Sequence, residues 1–345
     1  MSSLSIGIIL AIIAGIINGS FPAPIKYAKV WKWENIWSVW GLFGMVVFPW
    51  LVVWFTIPDA LDVYQGVPAK AVLLMIAFGV GFGLAQIFFG LGIAAIGMAL
   101  NFAIAIGIST VLGFLVPLLV KHPDRVFTAQ GGMIFLGAFL IVIGIVGCAL
   151  AGKLKDKHLE AAEQRPRESA AVSMSFAAGL FICILAGLGS PLINFGYAFG
   201  EPLLARAAAH GASLSSQANV IWAPVVSSAF IPYILYCMYL WKKNQTAGLF
   251  LAPGTGRNWV FGALMGLLWF SSTVIYGAVL ARLGSMGPVL GWPLFMSAII
   301  VASNVWGLAT GEWKGSGAKA LNTMFGSIVF LILGFTVLAY AGRLG

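Results

Sequence analysis

The chain has 345 residues, of which 61% are hydrophobic and only 8% carry a charge. A soluble globular protein has far more charged residues, so this composition excludes that class and indicates an integral membrane protein in a lipid bilayer. The formal net charge of +9 does not predict a nucleic acid partner, because the basic residues lie between apolar segments, where membrane insertion places them.

Long apolar segments follow one another along the chain. A membrane-spanning helix needs about 20 apolar residues, and five such segments precede the polar stretch 152–170 and five follow it. The first segment lacks a basic start and a cleavage site, so it is read as a retained helix and not as a signal peptide. The ten predicted spans are 4–22, 34–57, 69–95, 98–120, 128–151, 172–198, 218–241, 259–281, 286–309 and 320–341.

The basic residues divide unequally between the two sides of the predicted bundle. Cytoplasmic loops carry the excess of Lys and Arg, so the side with the larger group is predicted to be cytoplasmic and both termini periplasmic. The larger group comprises Lys26, Lys29, Lys32, Lys153, Lys155, Lys157, Arg165, Arg167, Lys242, Lys243, Arg257, Lys314 and Lys319.

Five spans is an odd number, so two similar halves would enter the membrane in opposite directions. Weak similarity supports this, and the chain is divided into a first five-helix repeat (1–151), a cytoplasmic linker (152–171) and a second repeat (172–345). Inverted repeats are a common basis for alternating access; the alternative is shared composition alone, since Gly recurs in membrane helices. At a spacing of 187, the matching pairs include Gly79 and Gly266, Phe82 and Trp269, Phe89 and Tyr276, and Gly90 and Gly277.

Two faces with aromatic and polar residues are predicted on spans three and eight. Each set is spaced i, i+4 and i+7, which places it on one side of a helix. Rings stack on the C–H face of a sugar and polar groups bind its hydroxyls; the alternative is ordinary packing and hydrogen bonding between helices. The sets are Phe82, Gln86 and Phe89 in span three and Trp269, Thr273 and Tyr276 in span eight.

Prolines next to the ends of spans one and six are expected to break these helices and free backbone polar groups. Asn18 and Asn194 lie at the two breaks and are candidate solute contacts, with plain helix capping as the alternative. Asn101 in span four and Trp292 in span nine are further solute candidates.

The ten carboxylates lie in loops or at span ends, although a proton-driven carrier usually keeps a titratable group in its pathway. Glu34, Glu312 and Lys26 are therefore the candidates for proton coupling or gating, and interfacial charges are the alternative. No nucleophile motif, phosphate-binding loop or metal-ligand spacing is found, so neither an enzyme nor a bound cofactor or metal is predicted.

Several motifs are more specific than composition: Ala23-Pro24-x-Lys26, Trp31-Lys32-Trp33-Glu34-x-x-Trp37-Ser38-Val39-x-Gly41, Pro49-Trp50 and Gly311-Glu312-Trp313. With them the chain resembles, over its whole length, the L-rhamnose:proton symporter family of the drug/metabolite transporter superfamily. The resemblance implies an all-α polytopic membrane protein with ten transmembrane helices in two inverted five-helix repeats.

The same resemblance implies a secondary active transporter of the bacterial inner membrane. It would import L-rhamnose or a related 6-deoxy sugar by proton symport, with sugar and proton as its partners. The alternatives are a drug/metabolite-type carrier or facilitator for another small solute, such as an amino acid, a nucleoside or a lipophilic compound, and a membrane sensor without transport. No oligomeric state is predicted.

Overall fold

The structure is a computed structural model that describes residues 2–161 and 174–344. This part of the chain contains no strand and ten helices long and apolar enough to cross a membrane, which confirms the all-α class and the predicted number of spans. The helices are α1 (Ser3–Ser20), α2 (Trp33–Thr56), α3 (Ala69–Ile96), α4 (Met98–Lys121), α5 (Ala129–Ala161), α6 (Phe176–Gly189), α7 (Asn219–Asn244), α8 (Gly256–Arg282), α9 (Gly287–Ala309) and α10 (Ala318–Ala341).

The two ends of the bundle are named by the chain segments they carry. The termini side carries the start of α1 and the end of α10, and the linker side carries the end of α5 and the start of α6. The larger group of basic residues belongs to the linker side, apart from Arg165 and Arg167, which lie outside the described residues.

The end of α5 differs from its predicted position. The span was predicted to end at 151, but the helix continues to Ala161, while 162–171 of the predicted linker lie outside the described residues. The extension has an apolar stripe: Leu159 is buried, and Leu154 packs in a small cluster with Trp313. A hydropathy profile reads such a segment as a loop because its charged face dominates the average.

Small residues allow the helices to pack closely. α1 packs against α8 and α9, α2 against α7 and α8, α3 against α6 and α7, and α5 against α10. A Cβ atom on Gly19 of α1 would lie 2.8 Å from the Cβ of Ala302 in α9, and one on Gly266 of α8 would lie 2.7 Å from the backbone nitrogen of Gly44 in α2. These helices therefore approach too closely for a side chain at the glycine, and such close van der Waals packing is a main source of helix association in lipid.

The middle of α2 is a π-helical segment, Leu42–Val47. A π segment displaces carbonyl groups from the regular ladder, so they need other donors. One is Ser227 of α7, whose hydroxyl donates to the carbonyl of Met45 over 2.9 Å, and the indole of Trp50 donates to the same hydroxyl over 2.9 Å. The irregular part of α2 is thereby held against α7.

Two short helices cover the termini side. Ala60–Gln65 follows α2, and Glu201–Ala209 lies between α6 and α7. Arg206 joins them, because its guanidinium donates to the carbonyls of Asp62 and Val63 over 2.8 and 3.1 Å.

Candidate solute-binding site

Both predicted helix breaks are present. α1 ends at Ser20 and is followed by a 3-10 turn, Ala23–Tyr27, while α6 ends at Gly189 and a short helix, Leu192–Ala198, follows Pro191. Asn18 lies in the last turn of α1, and its amide donates to the hydroxyl of Ser272 in α8 over 2.8 Å. Its side chain is half-buried, and its side-chain amide oxygen has no hydrogen-bond partner among the described residues.

An aromatic cluster lies beside Asn18 on the linker side of the bundle. Trp33, Trp37 and Trp40 follow one face of α2 at i, i+4 and i+7. The rings of Trp33 and Trp37 stack at 5.8 Å, and those of Trp37 and Trp40 meet edge to face at 4.9 Å. Trp40 also contacts Trp269 of α8 at 5.3 Å and Phe21 at 5.7 Å. Trp269, a predicted solute contact, therefore belongs to this cluster.

Gln86 lies on α3, across from the aromatic cluster. One turn further along α3, a Cβ atom on Gly90 would find only the Trp33 ring within 4 Å, at 4.0 Å. The space between α2 and α3 is therefore open at this level. The amide of Gln86 is half-buried and has no hydrogen-bond partner among the described residues. A polar group inside a membrane protein that bonds to no other residue is expected to face water or a ligand.

The cluster also holds hydrogen-bond donors without acceptors. The indole nitrogens of Trp37 and Trp40 are buried, and neither has a hydrogen-bond partner within the described part of the chain. A buried N–H without an acceptor is costly, so such a group calls for a ligand or a water molecule. Stacked rings, two free indole donors and the amides of Asn18 and Gln86 together suit a small solute with an apolar face and several hydroxyls.

The predicted residues on the termini side form a different, closed cluster. The phenol of Tyr276 donates to the amide oxygen of Asn194 over 2.7 Å, and the Asn194 amide donates to the carbonyls of Gly113 and Pro288 over 2.8 and 3.1 Å. Tyr276 stacks on Phe295 at 4.6 Å. Asn194 is fully buried, and both its amide nitrogen and its amide oxygen are hydrogen-bonded, so it joins helices in this structure. Its role as a solute contact stays a prediction.

Trp222 and Trp292 complete this termini-side cluster. The ring of Trp222 lies between those of Tyr197 and Tyr276, at 6.0 and 6.1 Å. The indole of Trp292 donates to the carbonyl of Ser109 over 2.9 Å. Trp222 is 0% exposed, whereas Trp33 on the linker side is 41% exposed. Trp222 is therefore enclosed by the termini-side cluster, whereas part of the Trp33 ring remains exposed.

The remaining predicted solute contacts pack or hydrogen-bond within the protein, and their role as solute contacts stays a prediction. Asn101 is buried and donates to the carbonyl of Phe89 over 3.2 Å, and the ring of Phe89 packs on Phe102 at 5.1 Å. The hydroxyl of Thr273 donates to the carbonyl of Trp269 over 3.2 Å, within its own helix. Phe82 is buried in the main core.

A salt bridge joins Lys26 and Glu312 on the linker side. The Lys26 amine is 2.6 Å from Oε1 of Glu312 and donates to the Thr310 hydroxyl over 2.9 Å. The hydrogen bond from Lys26 lowers the pKa of Glu312 below its ordinary value of 4.5, although partial burial acts in the opposite direction. Both side chains are nearly half exposed, so solvent reaches the pair.

Glu34 is more deeply placed and already has partners. Its carboxylate accepts from the amide of Asn244 over 2.9 Å and from the hydroxyl of Thr246 over 2.7 Å. The indole of Trp241 donates to the Glu34 carbonyl over 3.2 Å. Glu34 therefore holds the start of α2 against the end of α7 and the loop behind it.

Five residues of the site were not in the predicted solute set: Trp33, Trp37, Trp40, Tyr233 and Ser272. Trp40 could have been found, because it continues the i, i+4, i+7 spacing of Trp33 and Trp37. Tyr233 of α7 contacts both Trp33 and Trp40, at 6.4 and 5.8 Å. Nothing in the local sequence around Tyr233 or Ser272 indicates which helix they face, because that depends on the packing of α7 and α8.

Comparison with known proteins identifies relatives along nearly the whole chain. A family model described as L-rhamnose-proton symport protein (RhaT) matches residues 1–341. Proteins named L-rhamnose-proton symporter from Cronobacter sakazakii, Yersinia pestis and Yersinia pseudotuberculosis are each 27% identical over 339 residues, covering 96% of this chain and 96% of theirs. The family is one of transporters, so the prediction that the chain is not an enzyme is confirmed. The chain belongs to the L-rhamnose-proton symport protein (RhaT) family.

Proposed function

We propose that this protein imports L-rhamnose or a related 6-deoxy sugar together with a proton across the bacterial inner membrane. The observation that carries the proposal is the family match over residues 1–341, supported by relatives that bear the name of such a symporter over 96% of both chains. The alternative of a carrier for another class of solute has no comparable support.

The chemistry of the linker-side space agrees with a deoxy sugar. Such a sugar has a methyl group and C–H faces that pack on rings, and hydroxyls that need donors and acceptors. The rings of Trp33 and Trp37 supply the apolar surface, while the Trp37 indole, Gln86 and the side-chain amide oxygen of Asn18 supply polar groups with no partner among the described residues.

Helix packing supports two inverted repeats that alternate access. In an inverted repeat, each helix of the first half corresponds to the helix five positions later, so α1 corresponds to α6, α3 to α8 and α4 to α9. The packing of α1 against α8 and α9 should then be matched by packing of α6 against α3 and α4, and both sets of contacts are present. The paired glycines Gly90 and Gly277 have corresponding neighbours: Gly90 of α3 faces Trp33 of α2, and Gly277 of α8 faces Trp222 of α7. The proposed site thus lies between two equivalent tryptophan–glycine contacts at opposite ends.

These two contacts suggest which side is open. A Cβ atom on Gly277 would lie 2.7 Å from the indole nitrogen of Trp222, whereas one on Gly90 would lie 4.0 Å from the Trp33 ring. We take the conformation to be closed on the termini side and open on the linker side. With the termini in the periplasm, as the excess of linker-side Lys and Arg favours, this is the state that releases sugar to the cytoplasm.

Glu312 is the proposed proton site. Its lowered pKa in this conformation favours the carboxylate, which is the form expected after a proton has left towards the cytoplasm. Proton binding would remove the charge that holds Lys26, so that proton occupancy and the arrangement of the linker-side end of α1 are coupled.

The test is uptake of labelled L-rhamnose into membrane vesicles, with and without an imposed proton gradient. We expect accumulation against the sugar gradient only when the proton gradient is present. Equal uptake in both conditions refutes proton coupling, and no rhamnose uptake in either condition refutes the substrate. The Glu312→Gln variant is expected to equilibrate sugar but not to accumulate it.

A further inference from the structure

A cavity lies on the termini side, away from the proposed sugar site. Its volume is about 260 Å³, and it lies where the ends of α4 and α8 meet the starts of α5 and α9. Its polar wall carries His122, Arg125, Gln130 and Arg282, and apolar side chains such as Leu283 form the rest. A cavity with a basic and an apolar wall at the end of a membrane bundle is suited to a charged group attached to an acyl chain.

Arg282, the last residue of α8, lacks a partner. Its guanidinium makes no ion pair or hydrogen bond with any described residue, and its Nε atom is buried. Arginine remains charged at all physiological pH values, and a buried donor without an acceptor is unfavourable. Its neighbour Arg125 pairs with Asp124 at 3.2 Å. Among the described residues, the cavity therefore keeps a net positive charge and at least one donor without an acceptor.

Gln130 has the opposite need, because its buried amide oxygen lacks a hydrogen-bond donor among the described residues. It is only 3% exposed, and its amide nitrogen donates to the carbonyl of Ala341 over 3.2 Å. Its amide oxygen is buried and has no donor among the described residues. A ligand that satisfies both Arg282 and Gln130 must offer an anionic acceptor and, close to it, a hydroxyl or N–H donor.

We propose that this cavity binds the headgroup of an anionic glycerophospholipid of the phosphoglycerol class. The phosphate would accept hydrogen bonds from Arg282 and Arg125, which is a favoured pairing for guanidinium groups. A headgroup hydroxyl would donate to Gln130, and the acyl chains would leave along the apolar wall. Inorganic phosphate shares the anionic chemistry but has no apolar part.

The experiment measures the melting temperature of the purified full-length protein in detergent. Short-chain phosphatidylglycerol, phosphatidylcholine and inorganic phosphate are each titrated, because a ligand that binds the folded state raises the melting temperature. Arg282→Gln is compared with Arg257→Gln, which makes the same charge change at the opposite end of α8. Arg125→Gln, in an exposed loop, provides a second variant if Arg282→Gln does not fold.

We expect phosphatidylglycerol to stabilise the unmodified protein and Arg257→Gln equally. For Arg282→Gln or Arg125→Gln, the same stabilisation should need about tenfold more lipid, the loss typical of one charge-assisted hydrogen bond. Phosphatidylcholine should have a much smaller effect, since its headgroup has no net charge and no hydroxyl. Equal responses of the Arg282 and Arg257 variants, or equal effects of the two lipids, would overturn the proposal. A response to inorganic phosphate equal to that of phosphatidylglycerol would overturn its lipid source.

Discussion

The sharpest test of the sugar site is the replacement of Gln86 by methionine. Methionine has nearly the same length and volume as glutamine but cannot accept or donate a conventional hydrogen bond. Because the Gln86 amide has no partner among the described residues, its removal costs no internal hydrogen bond, and the melting temperature should stay unchanged. One neutral hydrogen bond contributes about 0.5–1.5 kcal/mol, so the dissociation constant for L-rhamnose should rise roughly twofold to tenfold.

The matched control is Asn304→Leu. Asn304 is another half-buried amide inside a span, but it donates to the Ile300 carbonyl of its own helix over 2.9 Å and lies near Cys148 of α5. Sugar binding and uptake are measured for both variants, together with their melting temperatures. Unchanged sugar affinity in Gln86→Met, or an equal loss in Asn304→Leu, would refute the assignment of Gln86 to the site.

Three further predictions concern donors, gates and pH. Trp37→Phe keeps a ring but removes an unpartnered indole donor, so sugar affinity measured by equilibrium binding should fall by roughly twofold to tenfold without loss of thermal stability; an unchanged affinity would count against this donor. Gly277→Ala places a methyl group 2.7 Å from the Trp222 indole nitrogen and should lower the melting temperature, because overpacking costs about 1–3 kcal/mol. Gly90→Ala places its methyl group 4.0 Å from the Trp33 ring and should leave the melting temperature unchanged. Equal effects of the two variants would refute the proposed asymmetry. The hydrogen bond from Lys26 lowers the pKa of Glu312 from 4.5, so the pairing stabilises the protein above that pH and is lost as the pH falls through the lower folded value. The difference in melting temperature between the native protein and Glu312→Gln should therefore shrink as the pH is lowered from 4.5, and a pH-independent difference would contradict the pairing.

The number of spans could be predicted from the sequence because each span is a long, almost uninterrupted apolar segment, which is a strong signal. The end of α5 could not be predicted in the same way. Beyond 151 the helix leaves the apolar segment; Leu159 is buried, and Leu154 packs in the cluster that contains Trp313 of the distant α9–α10 loop. Hydropathy reports the preference of a segment for lipid and says little about a helix that continues into water.

The candidate site was predictable only where a single helix carries the information. Gln86 could be selected because a lone amide in the middle of an apolar helix needs an explanation. The same reasoning selected Asn194 and Asn101, which the structure connects to carbonyls of neighbouring helices. The sequence cannot separate these cases, because all are amides in apolar spans and only the packing of other helices decides whether a partner is within reach.

The absence of a carboxylate from the middle of the predicted spans limits how protons can be coupled to sugar. Glu34 and Glu312 are the two candidates at the linker side, and their surroundings differ. Glu34 accepts hydrogen bonds from two side chains and is only 3% exposed, so its protonation would break contacts that anchor α2. Glu312 is paired with one lysine and is accessible to solvent, so a proton can reach it without disrupting the core. Proton exchange is therefore expected at Glu312, with Glu34 as a structural anchor, and Glu34→Gln should reduce thermal stability more than it alters the dependence of uptake on the proton gradient.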